Sequence, residues 1–273
     1  MTKLTYDVEL DLYRIITCHL PRLKGLGNLG NFFMSYYRRK PRLPIKRKVL
    51  GFDMMLNPHE CVDSALLFMP QLYEYNEVTF IKKRLKAGSI FIDLGSNIGF
   101  YTLQASKLVG DNGKILSIEA SPSTFALLCQ NIKINDGTKN IVLLNIGVSN
   151  KKEDLFMNVP AEDGLYRNRG DNSFLNKPLS NRVLVPCKPL IEILEENHIQ
   201  RIDGMKIDIE GFEFRVLSHF LENASKYLIP DFLIIEQHQD VAVKEGDSIE
   251  LLEQHGFQIK FKTKYNNFVM VRN

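Results

Sequence analysis

The chain has 273 residues, with 35 lysines and arginines against 32 aspartates and glutamates, which gives a formal net charge of +3. A hydrophobic fraction of 44% excludes a wholly disordered chain, and no apolar run reaches the roughly 18 residues that a membrane span needs. The length fits one α/β domain with an N-terminal extension.

The charge is divided unevenly along the chain. Residues 1–48 hold 11 basic and 3 acidic residues, a net charge of +8, whereas residues 49–273 hold 24 basic and 29 acidic residues, a net charge of −5. Within Arg38–Lys48, seven of eleven residues are basic. The sequence therefore predicts a helical and basic extension over residues 1–48 and a larger domain over residues 49–273.

The N-terminal extension begins with apolar residues at helical spacing over residues 5–20, which predict an amphipathic helix that ends at Pro21. The basic stretch after it contains Pro41 and Pro44, which favour an extended or looped backbone. Two roles remain open for this charge: peripheral contact with an anionic membrane or with phosphate groups, and an exposed linker or dimerisation arm. A nucleic-acid partner is not expected, because no RNA-binding fold accompanies the basic stretch.

Strands and helices alternate after residue 48. The predicted strands are Val49–Leu56, Ser89–Leu94, Lys114–Glu119, Asn140–Ile146, Leu155–Val159, Arg182–Pro186, Gly204–Ile209, Phe232–Glu236, Phe257–Lys262 and Asn267–Val271. The predicted helices are Asn76–Lys86, Ile98–Leu108, Ser123–Ile134, Lys188–Glu196, Phe212–Phe220 and Ser248–His255. This order favours an α/β fold with a doubly wound, mostly parallel sheet of seven strands, and the closing hairpin predicts one antiparallel strand near the C-terminus.

Four cysteines are spread along the chain, at Cys18, Cys61, Cys129 and Cys187, with gaps of 43, 68 and 58 positions. These gaps do not match a clustered metal site. No leader with a basic start, an apolar run and a small-residue cleavage site opens the sequence. We therefore expect reduced thiols and a cytoplasmic protein, with the basic extension as a route to peripheral membrane contact.

A glycine-containing turn follows the strand that ends at Leu94. It contains Gly95, Asn97 and Gly99, a spacing that differs from the G-x-G-x-x-G of dinucleotide-binding turns. Asp93 suits a cationic group, such as the amino end of S-adenosylmethionine. Glu119 ends the next strand and can accept hydrogen bonds from both hydroxyls of a ribose. The pattern predicts an S-adenosylmethionine site, and a purely structural turn in another α/β protein is the alternative.

These features resemble the FkbM family of S-adenosylmethionine-dependent methyltransferases over about residues 49–271. The similarity is carried by Tyr73–Glu77, Phe91–Thr102, Ile118–Pro122, Met205–Glu213 and Ile235–His238. The resemblance implies a class I (Rossmann-like) methyltransferase fold and O-methylation of sugars or secondary metabolites. One departure is Cys187–Leu190, where the family often has a Thr-Leu-Asp turn.

The cofactor site is predicted from the turn and from the resemblance together. The residues expected to bind S-adenosylmethionine are Asp93, Gly95, Ser96, Asn97, Gly99, Tyr101, Glu119, Ala120, Ser121, Gly147, Tyr73 and Glu77. The segment around Gly147 follows the third core strand, where this fold usually meets the adenine. Tyr73 and Glu77 precede the core and could close over the cofactor or acceptor, or could cap a helix.

Methyl transfer to a hydroxyl needs alignment of three atoms and a group that removes a proton. Lys206, Asp208 and Glu210 alternate along one side of the fourth core strand, and Glu236 and His238 end the next. We expect these five residues to form the catalytic rim, with His238 as the general base. The alternatives are a structural ion pair between Lys206 and Asp208 and a surface histidine at position 238.

Asp208, Glu236 and His238 could also hold Mg²⁺ with waters, and the sequence leaves the need for a metal open. The polar loop Glu162–Ser180 could bind a hydroxylated acceptor or could be solvated. The sequence therefore predicts an S-adenosylmethionine-dependent O-methyltransferase acting on a small hydroxylated acceptor, namely a sugar, a glycoside or a secondary metabolite. The alternative is a non-catalytic cofactor-binding or scaffold module that docks through its basic extension.

Overall fold

The structure is a computed structural model that describes residues 3–19, 26–37, 44–135, 139–159, 181–237, 245–263 and 266–272. These residues belong to two compact units, residues 3–75 and residues 76–272. The predicted domain boundary after Lys48 falls inside a strand, and the division of the chain at that point stays a prediction. The loop Glu162–Ser180 lies outside the described residues.

The first unit consists of helices α1 (Lys3–His19), α2 (Leu26–Tyr37) and α3 (Cys61–Phe68) and strands β1 (Ile45–Val49) and β2 (Phe52–Leu56). Aromatic rings join its three helices: the Tyr13 and Phe33 ring centroids lie 4.4 Å apart, and those of Tyr37 and Phe68 lie 5.2 Å apart. The helix predicted over residues 5–20 is confirmed as α1. Helices α2 and α3 were not predicted, because glycines interrupt the apolar pattern of α2 and α3 is only eight residues long.

The strand predicted over Val49–Leu56 is confirmed over Phe52–Leu56 and is wrong before it, because Val49 ends a separate strand of an antiparallel hairpin. Strand β1 pairs with β2 from Ile45↔Leu56 to Val49↔Phe52. The chain reverses at Leu50 and Gly51, whose φ angles are 46° and 100°. Glycine adopts such angles readily, so the turn forms at Gly51. The three consecutive basic residues of β1 concealed its strand character in the sequence.

The second unit alternates strands and helices. Its strands are β3 (Ile90–Leu94), β4 (Lys114–Ile118), β5 (Ile141–Leu144), β6 (Gly147–Ser149), β7 (Glu153–Val159), β8 (Asn181–Pro189), β9 (Gly204–Ile207), β10 (Phe232–Glu236), β11 (Phe257–Lys262) and β12 (Asn267–Arg272). Its helices are α4 (Tyr75–Arg84), α5 (Phe100–Val109), α6 (Pro122–Lys133), α7 (Leu190–Glu196), α8 (Glu213–Asn223) and α9 (Ser248–Gln254). Alternation of the predicted kind is therefore confirmed.

Seven of these strands form one sheet in the order β11-β12-β10-β9-β3-β4-β5. Strands β10, β9, β3, β4 and β5 are parallel, and β12 runs antiparallel to both of its neighbours. This confirms the predicted seven-stranded, mostly parallel sheet with one antiparallel strand near the C-terminus. The strand order reverses between β3 and β9, and ligands bind at such switch points in doubly wound folds.

A three-stranded sheet, β6-β8-β7, accompanies the main sheet. Strand β8 continues its pairing with β6 through Ser149↔Pro189, so α7 begins at Leu190 and not at the predicted Lys188. The core of the second unit joins apolar strand residues such as Ile92 and Leu233 with helix residues such as Phe220.

Two further expectations concern membranes and thiols. In the ranges that the structure describes, helices long and apolar enough to cross a bilayer are absent. The four cysteines, all within those ranges, are free thiols. Burial raises the pKa of the Cys187 thiol to about 12, so this thiol is inert at neutral pH.

Candidate functional site

Asp93 occupies the carboxyl end of β3 and is completely buried. The Thr102 hydroxyl on α5 donates to Asp93 Oδ2 at 2.6 Å. Asp93 Oδ1 has no hydrogen-bond partner within the described part of the chain. Burial raises the pKa of this carboxyl, and the nearby Lys206 and the Thr102 hydrogen bond act in the opposite direction. A buried acceptor atom of this kind fits a donor group from a ligand.

Hydroxyl groups hold the turn after β3 in place. Ser96 Oγ donates to the Asp93 carbonyl at 2.8 Å, and Ser117 Oγ on β4 donates to Ser96 Oγ at 2.7 Å. Ser117 is the β4 residue opposite Asp93 and also lies 2.8 Å from the Thr102 hydroxyl. The turn is therefore fixed to two strands before any ligand binds.

Two positions in the turn require glycine. Gly95 has a φ of +74°, and a Cβ there would lie 1.8 Å from the Asp208 carbonyl oxygen after β9. Gly99 has a φ of +90°, and its Cβ would lie 2.7 Å from Leu128 Cδ1 on α6. The turns after β3 and β9 therefore pack closely, because the Asp208 carbonyl occupies the space that a side chain at position 95 would need.

Glu119 joins the ends of β3 and β4. Its two carboxylate oxygens accept hydrogen bonds from the backbone amides of Asn97 and Ser121, each at 2.9 Å. Burial raises the pKa of Glu119 to about 7; these two hydrogen bonds lower it, and the charges of Asp208 and Asp93 raise it further. Each oxygen keeps a further lone pair, so the carboxylate can still accept from ribose hydroxyls.

The turn after β9 carries the first part of the predicted catalytic rim. Lys206 Nζ contacts Asp208 Oδ2 at 2.7 Å, and it lies 5.4 Å from the centroid of the Tyr101 ring. Lys206 is also the β9 residue opposite Asp93. The ion pair considered from the sequence is therefore present, and it lies directly beside the predicted cofactor residues.

The remaining rim residues follow the strand ends. Glu210 lies in the turn after β9 with a φ of +53°, and Glu236 ends β10, which is parallel to β9. Parallel neighbours end at the same edge of a sheet, so both residues belong to the edge that carries Asp208. His238, the predicted general base, lies outside the described residues. Its role stays a prediction.

Metal binding at this rim also stays a prediction. Across the ranges given above, the described His, Cys, Asp and Glu side chains form no group of three or more that could hold an ion. The proposed Mg²⁺ set of Asp208, Glu236 and His238 includes a residue outside those ranges.

Other predicted cofactor residues are distributed over the two units. Ala120 follows Glu119, and Asn145 Nδ2 donates to the Glu119 carbonyl at 2.8 Å and to the Ala120 carbonyl at 3.1 Å. Gly147 begins β6, opposite Cys187 of β8. Glu77 on α4 accepts from Asn267 Nδ2 at 3.3 Å. Asn267 belongs to β12, so Glu77 lies three strands away from the glycine turn. Tyr73 belongs to the first unit.

Glu213 is a buried acid beside the site that was not predicted from the sequence as a site residue. It is buried at the start of α8 and accepts from the backbone amides of Ile209 at 2.8 Å and Gly211 at 2.9 Å. Burial raises its pKa to about 7. Its position in the sequence could have indicated this role, because it lies two residues after Gly211 in the turn that follows β9. Glu213 fixes the turn that carries Glu210.

A family model and two methyltransferase sequences match most of the chain. The Methyltransferase FkbM domain matches residues 93–259. The chain is 27% identical over 204 residues to Methyltransferase sdnD of Sordaria araneosa, which covers 64% of this chain and 76% of that protein. It is 25% identical over 174 residues to the hexuronic acid methyltransferase AglP of Haloferax volcanii, which covers 63% of this chain and 65% of that protein.

Solved methyltransferase structures are similar over about three quarters of the chain. One is the O-methyltransferase from Bacillus cereus in complex with SAH, with 13% identity, a TM-score of 0.44, and coverage of 72% of this chain and 78% of that chain. Another is Methyltransferase FkbM from Methylobacillus flagellatus, with 12% identity, a TM-score of 0.42, and coverage of 76% and 54%.

The sheet order, the glycine turn and the two acids at the ends of β3 and β4 define a class I S-adenosylmethionine-dependent methyltransferase. The unpartnered oxygen of Asp93 and the ribose-accepting capacity of Glu119 fit that cofactor. The match over residues 93–259 shows that the chain belongs to the FkbM methyltransferase family. The resemblance found in the sequence is thus confirmed.

Proposed function

We propose that this methyltransferase acts on an oxygen atom of a small hydroxylated acceptor, namely a sugar, a glycoside or a secondary metabolite. S-Adenosylmethionine supplies the methyl group from a sulfonium centre. Support for a sugar acceptor comes from AglP, a relative whose substrate is a hexuronic acid.

One arrangement supports the assignment of the cofactor site: Asp93 and Glu119 are buried at the ends of adjacent strands, and the charge of Asp208 raises the pKa of both carboxyls. Lys206 offsets part of this negative charge through its contact with Asp208. A cationic ligand would relieve the remaining repulsion, because opposite charges attract strongly where water is excluded. In this proposal Asp93 accepts from the amino group of the donor and Glu119 from its ribose.

The acceptor would lie at the rim formed by the ends of β9 and β10. A hydroxyl group is neutral at pH 7, so its oxygen needs a base as the new bond forms. His238 is the proposed base, and it follows Glu236 by two positions in the sequence. A carboxylate acceptor is already ionised and needs no such base.

Calorimetric titration with S-adenosylmethionine and with its demethylated product tests the cofactor site. The wild-type chain should bind both at micromolar concentrations, and Asp93→Ala and Glu119→Ala should each abolish binding. Asp111→Ala, in an exposed loop, is the matched control and should bind as the wild type does. Undiminished binding by both site variants would refute the assignment.

Incubation with S-adenosylmethionine and a panel of uronic acids, glycosides and polyols tests the acceptor, with a mass gain of one methyl group as the readout. Treatment with mild alkali distinguishes the two possible products. It cleaves the methyl ester formed on a carboxylate and leaves the methyl ether formed on a hydroxyl intact. If the product is an ether, His238→Ala should slow turnover by about 10²–10⁴-fold without changing cofactor affinity. An unchanged rate of ether formation would exclude His238 as the base.

A further inference from the structure

Helix α1 has an exposed face made of large apolar side chains. Val8 is 64% exposed, Leu12 58%, Ile15 61% and Ile16 45%. Their spacing of four, three and one positions places them on one side of the helix. Surface helices usually turn polar residues outward, so a contiguous apolar face indicates a binding surface.

The apolar face continues onto α2. Phe32 is 65% exposed and Tyr36, one turn later, is 39% exposed. The Tyr36 hydroxyl donates to Glu9 Oε1 of α1 at 2.7 Å, which places this part of α2 beside α1. We call the six side chains of Val8, Leu12, Ile15, Ile16, Phe32 and Tyr36 the N-terminal apolar surface.

Positive charge borders the N-terminal apolar surface. Asp11, at its edge, forms an ion pair with Arg47 of β1 at 2.7 Å, so this acid is neutralised. Strand β1 therefore lies at that edge, and it also carries the exposed Lys48 and Lys46. Lys46 pairs with Asp53 of β2 at 3.0 Å, so Lys48 carries the clearer excess of positive charge on this strand. Residues 14–48 contain ten basic residues and no acidic residue.

We propose that the N-terminal apolar surface docks on a bilayer that contains anionic lipids. An anionic bilayer offers both of the required partners: an apolar interior for the exposed side chains and negative headgroups for the bases. A second copy of the chain would bring two segments of net charge +8 together, which repel each other. The helix lies along the membrane surface. This inference is independent of the proposed acceptor.

Co-sedimentation of the full chain with vesicles tests the proposal. Vesicles of phosphatidylcholine with 30% phosphatidylserine (about the amount needed for a strong surface charge) should bind the chain at low salt, and pure phosphatidylcholine vesicles should not. Binding should weaken as the salt concentration rises. Equal binding to both vesicle types, or none to either, would overturn the proposal.

Paired substitutions separate the apolar contribution from the charge. Leu12→Gln with Ile15→Gln should weaken vesicle binding by about tenfold or more, because two apolar groups no longer enter the bilayer. Lys46→Gln with Lys48→Gln should weaken it by up to about fivefold for each base. Tyr227→Gln with Ile259→Gln, two exposed apolar residues of the second unit, is the matched control and should bind as the wild type does. Circular dichroism and cofactor binding check that every variant folds.

A fluorescent reporter gives a second readout, because the chain contains no tryptophan. In Leu12→Trp, the single indole should shift to shorter wavelength with anionic vesicles and should be quenched by brominated lipid. Tyr227→Trp should show neither change. An unshifted emission spectrum of Leu12→Trp with anionic vesicles would refute membrane docking. So would a wild-type chain that does not bind vesicles but forms a dimer, if Leu12→Gln with Ile15→Gln dissociates that dimer.

Discussion

Two buried glutamates brace the two turns that form the site, and they do so with the same chemistry. Glu119 accepts from the amides of Asn97 and Ser121, and Glu213 accepts from the amides of Ile209 and Gly211. Burial raises the pKa of each to about 7. Each turn also contains a non-glycine residue at positive φ, Asn97 at 49° or Glu210 at 53°.

The two glutamates differ in what they connect. Glu213 binds amides of its own turn, two and four residues earlier, whereas Glu119 connects the ends of two different strands. Glu119 also lies within reach of the charges of Asp93 and Asp208. A raised pKa is therefore common to a structural brace and to an acid proposed to bind the cofactor, and the surrounding partners distinguish the two.

The largest effect is expected at Gly95, where the two turns touch. Gly95→Ala should lower the free energy of unfolding by about 3 kcal/mol or more, because a strained φ combines with displacement of the Asp208 carbonyl. Urea unfolding followed by circular dichroism measures this loss. Gly88→Ala is the matched control: its φ is +85°, and a Cβ there meets nothing within 4 Å. Equal losses at both positions would show that the close approach adds nothing.

Asp93→Asn tests whether the carboxylate at the turn after β3 contributes to the binding of S-adenosylmethionine. This change preserves the volume and removes the charge, so cofactor affinity should fall by about 10–100-fold. Titration calorimetry measures the affinity, with Asp111→Asn as the control. Retained affinity would mean that Asp93 has a structural role only, through its hydrogen bond with Thr102.

Matched glutamine substitutions separate the two braces. In each variant, the NH₂ group of the new glutamine side chain faces one of the two backbone N–H groups and cannot accept its hydrogen bond. Both Glu119→Gln and Glu213→Gln should therefore lower the free energy of unfolding by about 1–3 kcal/mol. Glu119→Gln should in addition weaken cofactor binding by about tenfold, because a ribose hydroxyl loses a charged acceptor. Glu213→Gln should leave that affinity within about twofold. A similar loss of affinity in both variants would remove the distinction.

The smallest expected effect is a pH dependence of stability. The pKa of Glu213 is about 7 in the folded chain against an ordinary 4.5, so the folded chain holds more protons between these values. The free energy of unfolding should therefore fall as pH rises through this range, by about 1 kcal/mol per such carboxyl between pH 6 and 7. Glu213→Gln should reduce that slope, whereas the exposed Glu222→Gln should keep it. Urea midpoints at the two pH values measure the difference.

The sequence by itself determined the class of fold and predicted the glycine turn as the cofactor site. Regular spacing of β-branched strands and amphipathic helices predicts the parallel sheet, because hydrophobic periodicity reports local structure. Asp93, Gly95, Gly99 and Glu119 were predicted as site residues for a similar reason: each occupies a fixed position relative to a strand end. The family resemblance rested on the same short segments.

Only the tertiary structure decided which residues touch across the sheet. Gly95 must be glycine because of the Asp208 carbonyl, a contact between two strands that no local pattern contains. Glu213 looked like an ordinary first-turn acid of a helix until its two backbone partners were visible. The hairpin of β1 and β2 and the apolar face shared by α1 and α2 likewise depend on packing between segments. Local periodicity specifies which face of an element is apolar, and packing decides whether that face is buried or exposed.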